Sequence, residues 1–372
     1  MKKVMLVFGT RPEAIKMCPL AIELKKRKNI DTKVCVTGQH KEILQQVLDI
    51  FGVDPEYNLS IMKERQTLFD VTISIVSRIK KVLDIEKPDI VLVHGDTTTS
   101  FATALACFYM QIDIGHVEAG LRTYNIYSPF PEEFNRQAIG IMAKFNFVPT
   151  ETAKVNLIRE GKSEDTIYVT GNTVIDALKT TIRDSYSHPV LEWANGSKLI
   201  VLTAHRRENL GEPMRNMFSA IKEIVNKYED IKVIYPVHMN PAVRDTAGEI
   251  LGAHERIRLI EPLNVYDFHN LLSRSYLILT DSGGIQEEAS SIGKPVLVMR
   301  DVTERPEGIA AGTLKLVGTK KDAIYREIKT LIENENEYMN MSHVSDSYGD
   351  GHACKRIADI LCKYIVDTGS VF

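Results

Sequence analysis

Paired cysteines are missing from this chain: Cys18, Cys35, Cys107, Cys354 and Cys362 are odd in number and none stands in a CxxC spacing. Neither a disulfide framework nor a thiolate zinc site is indicated. HxH and HExxH spacings are absent as well, so no metal is assigned. No apolar run approaches the roughly 18 residues that a membrane span needs. Behind Lys2-Lys3 the apolar stretch Val4 to Phe8 stops at Gly9 and charges follow at once, unlike a secretory leader. The expected location is the cytoplasm, with no membrane partner. A formal net charge of -3 gives no reason to expect nucleic acid as partner, so any anion site has to be local. GxGxxG does not follow the first apolar stretch, which argues against a nicotinamide cofactor, and no cofactor is expected. Low-complexity tracts and short repeats are lacking too.

What is present is a chain of 372 residues, longer than one hydrophobic core usually covers, so two domains are expected. Short apolar runs alternate with amphipathic ones. Val4 to Phe8, Thr32 to Thr37, Ile90 to His94, Ile114 to Glu118, Phe145 to Pro149 and Thr166 to Thr170 read as strands. Pro12 to Lys28, Lys41 to Phe51, Thr67 to Leu83, Thr99 to Met110, Glu132 to Ala143 and Val174 to Ile182 read as helices between them. The stripe Leu68, Val71, Ile75, Ile79 and Val82 is available for a core or for a partner chain. After the polar segment Asp184 to Ser197, which holds the single tryptophan, the pattern restarts. Strands Leu199 to Thr203, Ile231 to Pro236, Ile257 to Ile260, Tyr276 to Thr280 and Val296 to Arg300 form a second set, with a terminal helix at Gly351 to Val366. Such alternation implies an α/β fold of two doubly wound, Rossmann-like domains facing across a cleft, with parallel sheets covered on both sides.

The stretch Tyr276 to Gly308 carries the clearest chemical signal. A buried strand, the turn Asp281-Ser282-Gly283-Gly284 and a helix from Ile285 to Ser291 make an anion cradle. Glycines let backbone N–H groups approach a ligand, and the helix dipole favours negative charge there, most often a phosphate. Glu288, four residues beyond Gly284, shares that helix face and can hold ribose hydroxyls. Arg305 adds a permanent cation in a Pro/Gly-flanked loop. Ligands in doubly wound sheets bind beyond the carboxyl ends of the strands. Arg11, Asp96, Glu118, His205 and Ser282 all follow or end expected strands. Lys16 lies one turn into the first helix, as a second cation for an anionic ligand or as a solvated surface lysine. Asp96 is a helix cap or an acid-base group. Glu118, Glu132 and Glu133 complete the carboxylate candidates, suited to proton transfer where burial raises a pKa. His94 and His116 read as structural. His205 can donate to a leaving diphosphate or serve as a plain hydrogen-bonding residue.

The strings VFGTRPEAIK at 7 to 16, HGDTTT at 94 to 99, GHVEAGLRT at 115 to 123, SPFPEE at 128 to 133, TAHRREN at 203 to 209, TDSGGIQEEA at 280 to 289 and TERPEG at 303 to 308 resemble the bacterial non-hydrolysing UDP-N-acetylglucosamine 2-epimerases. The likeness runs from about residue 3 to about residue 365. It implies a fold of the glycosyltransferase-B type, with an N-terminal domain over 1–170 carrying the acid-base residues. The helix of 351–372 would pack back on that domain, and 171–350 would form the UDP-binding domain. A homodimer is implied, as is interconversion of UDP-N-acetylglucosamine and UDP-N-acetylmannosamine for surface polysaccharide. Carried over motif by motif, uracil and ribose fall near Phe268 and Glu288. The diphosphate falls against Arg11, Ser282, Gly283, Gly284 and Arg305, with Lys16, Asp96, Glu118, Glu132 and His205 around the sugar and leaving group. The C2 proton is not alpha to a carbonyl, so elimination of UDP to 2-acetamidoglucal and re-addition replaces direct abstraction. Which carboxylate serves which face of C2 is left open.

The resemblance also implies a second, activating substrate molecule held by positions matching Gln39, Glu42, Arg65, Glu132, Arg206 and His238. Glu42 departs from the pattern, which has a glutamine there, and its charge would repel a diphosphate. The competing readings are a glycosyltransferase, a hydrolysing epimerase and a catalytically silent nucleotide-sugar sensor.

Overall fold

A computed structural model describes residues 1–38, 41–63, 66–303 and 305–368. The chain forms two compact units, Met1–Lys179 together with Gly349–Phe372, and Thr180–Tyr348.

The strands of the first unit are β1 (Lys2–Phe8), β2 (Ile30–Val36), β3 (Tyr57–Asn58), β4 (Ile90–His94), β5 (Asp113–Val117), β6 (Phe145–Val148) and β7 (Ile167–Val169). All pair in parallel, in the order β3-β2-β1-β4-β5-β6-β7. The second unit repeats the plan with β8 (Lys198–Thr203), β9 (Ile231–Pro236), β10 (Ile257–Ile260), β11 (Leu277–Thr280), β12 (Val296–Val298) and β13 (Leu314–Leu316). Their order is β10-β9-β8-β11-β12-β13, again parallel. In each sheet the order reverses once, between β1 and β4 and between β8 and β11. The loops that leave those strands diverge to opposite faces, which opens a crevice at the carboxyl edge.

Continuous apolar strands are what a sheet covered on both faces requires. Along β8, Ile200 and Leu202 enter one core cluster while Leu199 and Val201 enter another on the opposite face. Burial of each such side chain contributes about 1.5–3 kcal/mol. Helix starts are set by short polar side chains. Thr10, Thr67 and Thr97 each accept the N3 amide of the helix that follows, and Thr10 and Thr67 form capping boxes with Glu13 and Asp70. The stripe on the helix Leu68–Glu86 is core: Val71, Ile75, Ile79 and Val82 are buried, whereas Leu68 is exposed.

Several boundaries differ from the sequence reading. Glu118 lies beyond β5 in the left-handed region (φ 61°), where a strand cannot continue. The helix after β11 starts at Gly283 rather than Ile285, and β12 stops at Val298 rather than Arg300. The segment around Trp193 is a short helix, Pro189–Ala194, packed on the second unit's core. Helices Glu151–Arg159, Pro241–Leu251, Lys321–Glu333 and Glu335–Met341, with strands β3 and β13, were not anticipated.

The last helix, Ala353–Thr368, belongs to the first unit and packs on the helix Arg11–Lys25. Asp176 caps it by accepting from the amides of Ala353 (3.1 Å) and Cys354 (3.0 Å). Arg27 pairs with Asp359 at 2.9 Å, and the Tyr364 hydroxyl donates to Asp113 at 2.8 Å.

Candidate active site

In the first unit the crevice is lined by the residues that follow β1, β4 and β5. Where β1 ends, a Cβ on Gly9 would stand 2.0 Å from Thr37 Oγ1 and 2.7 Å from Thr99 Oγ1, so only glycine fits. Thr10 then caps the helix whose first residue is Arg11, half-buried at its positive end. The fully buried Glu13 carboxylate ties this loop to its neighbour. It accepts from the amides of Gly9 (3.0 Å) and Thr10 (2.7 Å) and from the hydroxyls of Thr97 (2.6 Å) and Ser100 (3.1 Å). Burial raises its pKa, and the bonds from Thr97, Gly9 and Thr10 oppose the rise.

Asp96 follows β4 and Glu118 follows β5. Because these strands pair with His94 opposite Val117, the two carboxylates leave adjacent points of one sheet edge. Each has its own cation: Arg136 pairs with Asp96 and, at 3.4 Å, with Glu133, while Lys16 pairs with Glu118. Asn172 donates to Glu118 at 2.8 Å. The helix cap beside Asp96 is Thr97, which frees the Asp96 side chain for Arg136. Lys16 is buried rather than solvated. Glu132 opens the helix Glu132–Met142, one turn before Arg136, and is half-buried. The wholly buried Glu133 next to it is committed to its own loop, accepting from the Thr123 amide at 3.0 Å and the Tyr124 amide at 3.1 Å.

His94 and His116 are both buried in this unit. His94 Nε2 lies 3.6 Å from Glu118, yet burial lowers its pKa to about 4 against that attraction. Burial likewise lowers His116 to about 3, and its Nε2 bonds the Gly95 carbonyl at 2.7 Å. Both rings are therefore neutral near pH 7.

In the second unit Asp281, directly after β11, organises the crevice. Fully buried, it accepts from the amides of His205 (3.0 Å) and Arg206 (2.9 Å) and from Asn209 Nδ2 (3.0 Å). The loop after β8 is thereby fixed to the loop after β11. His205 stacks on the exposed His238 with ring centroids 5.3 Å apart. Burial holds the His205 pKa below its ordinary value, and Asp281 pulls the other way. Ser282 occupies the cap position of the helix Gly283–Ser291 but makes no side-chain capping bond, and Thr280 Oγ1 takes its amide at 2.9 Å. The first N–H groups of the helix thus belong to Gly283 and Gly284. Arg305 is buried against Glu287, its Nε donating at 2.6 Å. Glu288 is half-buried, with His269 Nε2 3.6 Å from its Oε2. Phe268 precedes that histidine on the helix Val265–Ser273 and packs on the core.

The anticipated residues thus gather at the switch points of their own units. Arg11, Lys16, Asp96 and Glu118 stand at the first, with Glu132 on the adjoining helix. His205, Arg206, Ser282, Gly283 and Gly284 stand at the second, with His238 against His205. Glu42 is exposed in the first turn of the helix Lys41–Phe51, while Gln39 and Arg65 lie outside the described residues. Sequence reasoning missed Glu13, Arg136, Asn172 and Asp281. Asp281 stood beside the glycine turn, and its place directly after a strand could have marked it.

Two Rossmann-type units, each with its polar side chains at the strand-order reversal, define a nucleotide-handling α/β protein of the glycosyltransferase-B class. Comparison with known proteins narrows this. A sequence profile of UDP-N-acetylglucosamine 2-epimerase matches residues 22–362. The UDP-N-acetylglucosamine 2-epimerase of Bacillus subtilis is 60% identical over 96% of this chain and 94% of its own length. Among solved structures, S. aureus MnaA with UDP has TM-score 0.92 and 52% identity, covering 98% of this chain and 97% of that one. The Neisseria meningitidis UDP-GlcNAc 2-epimerase bound to UDP-GlcNAc has TM-score 0.91 and 48% identity, covering 97% of this chain and 100% of the other. The chain belongs to the UDP-N-acetylglucosamine 2-epimerase family and is an isomerase of the non-hydrolysing kind.

Proposed function

We propose that this chain interconverts UDP-N-acetylglucosamine and UDP-N-acetylmannosamine through the residues gathered at its two switch points. A carboxylate takes the C2 proton as the C1–O bond breaks, and the C2–H electron pair becomes the C1–C2 double bond of 2-acetamidoglucal. The electrons of the broken bond leave on the diphosphate oxygen. In the return step C2 is protonated on its opposite face and the diphosphate oxygen bonds C1 again. No net oxidation occurs.

Asp96, Glu118 and Glu132 are the proposed proton-transfer groups. The observation that carries the reading is the pair of carboxylates leaving β4 and β5, each with its own cation, Arg136 or Lys16. Arg11, Arg305, Ser282 and the amides of Gly283 and Gly284 suit the departing diphosphate, since donors aimed at developing negative charge lower the barrier. His205, kept neutral by burial, supplies one further N–H. Phe268 takes the uracil face and Glu288 the ribose hydroxyls. A homodimer in the cytoplasm is part of the same proposal, checked by sedimentation equilibrium and by fractionation of the producing cells.

A second nucleotide-sugar site around Gln39, Glu42, Arg65, Arg206 and His238 completes it. The stacking of His238 on His205 supports communication between the two sites, and the carboxylate of Glu42 opposes binding at the second.

Incubation with UDP-N-acetylglucosamine in deuterated water, followed by NMR at C2, tests the reaction. Deuterium at C2 in an intact UDP-linked product is the expected result. Free N-acetylmannosamine, a demand for an acceptor, or binding without exchange would each refute it.

A further inference from the structure

His269 is a buried ring that the proposed reaction leaves unused. It sits on the helix Val265–Ser273, one residue after Phe268, and is 1% exposed. Its Nδ1 lies 2.6 Å from the Thr181 hydroxyl and its Nε2 3.6 Å from Glu288 Oε2. Glu288 in turn stands on the helix Gly283–Ser291, so one imidazole joins three segments of the second unit. The next residue, Asn270, is wholly buried and grips the same entering segment. It donates to the Thr181 carbonyl at 2.8 Å and accepts the Arg183 amide at 3.0 Å. The anchoring side of His269 is therefore fixed, and its other nitrogen is aimed at a carboxylate.

The protonation pattern follows from electrostatics. A neutral ring has one N–H, and a lone pair on Nε2 would face the negative Glu288 oxygens. The hydrogen therefore sits on Nε2, with Nδ1 accepting from Thr181, and an imidazolium would present the same Nε2–H. We propose that His269 is the positioning residue for the nucleotide ribose, its Nε2–H facing Glu288 Oε2 at 3.6 Å and attracting the carboxylate by charge rather than by a hydrogen bond, so that its other oxygen meets the ribose hydroxyls. This rests on the reading that Glu288 takes those hydroxyls. A long side-chain carboxylate can adopt several rotamers, and an oriented one loses less freedom when it binds.

The test compares the dissociation constants of UDP and 2′,3′-dideoxy-UDP by calorimetry on the full chain. Wild type is expected to prefer UDP by about tenfold or more, the usual worth of hydrogen bonds to a charged acceptor. Glu288→Gln should lose most of that preference; if it does not, the ribose reading of Glu288 falls and the role of His269 falls with it. Given that loss, the two isosteric replacements of His269 decide. Gln places its amide nitrogen where Nε2 was and should keep the preference. Asn reproduces only the Nδ1 side and should reduce the ratio towards one, with dideoxy-UDP binding unchanged. Preference retained in His269→Asn, or lost equally in His269→Gln, overturns the proposal while leaving the Glu288 reading intact. Unfolding followed at Trp193, which lies in the same unit, confirms that each variant is folded.

Discussion

Replacing Asp281 by alanine removes the acceptor of two partly buried backbone amides, those of His205 and Arg206, and of one buried side-chain amide, that of Asn209. A buried donor left without a partner costs about 1–3 kcal/mol. With part of the loss recovered by water entering the hole, the expected destabilisation of the second unit is about 3–5 kcal/mol. Trp193 is the only tryptophan and lies in that unit, so its fluorescence reports this transition. With a urea dependence of about 2–3 kcal/mol per molar, the midpoint should fall by about 1–2 M. Under conditions where the variant is still folded, the His205 loop is no longer tied to β11, and kcat should fall more than the affinity for UDP. Asp281→Asn, which retains one acceptor oxygen, should lie between. A midpoint within about 0.3 M of wild type, corresponding to less than about 1 kcal/mol, together with unchanged kcat, would show that Asp281 does not organise this crevice.

Asp96→Asn, Glu118→Gln and Glu132→Gln should each lower kcat by about a hundredfold or more while leaving UDP affinity within a few-fold; loss of UDP binding in calorimetry would recast them as structural. The Glu13 pKa is raised in the fold, so the folded state binds this proton more tightly than the unfolded one. Stability of the first unit should therefore decline as pH rises above the ordinary glutamate value towards the raised one, and Glu13→Gln should flatten that decline in urea titrations across pH 4–7. If substrate activation is lost because of the Glu42 charge, initial rates at low UDP-N-acetylglucosamine should be hyperbolic, and Glu42→Gln should make them sigmoidal; a sigmoidal wild type refutes this. Gly120 has φ 84°, and a Cβ there would lie 2.4 Å from the Ala153 carbonyl. Gly120→Ala should accordingly destabilise the first unit by about 2 kcal/mol or more in calorimetric unfolding.

The fold was legible because its signals are local. Apolar runs of four to seven residues between amphipathic segments can only be central strands of covered sheets, and the loops that follow them had to hold the chemistry. Short elements gave less signal. The two residues of β3 and the three of β13 carry no periodicity, and each forms only at an open sheet edge, β3 against β2 and β13 against β12. At the site, residue types were readable but partners were not. Lys16 could be read either as a cation for an anionic ligand or as a solvated lysine because its counter-charge, Glu118, is 102 positions away. Asp96 and Thr97 are equally good caps by composition, and only the placement of Arg136 shows which one was spared. Asp281 was passed over because its three donors come from a loop more than 70 positions earlier.

The return of the helix Ala353–Thr368 to the first unit orders events during synthesis. Thr180–Tyr348 is continuous, so that half can fold as soon as it leaves the ribosome. The other unit must wait, with the side of Arg11–Lys25 that Ala353–Thr368 will cover still bare, until that helix has been made.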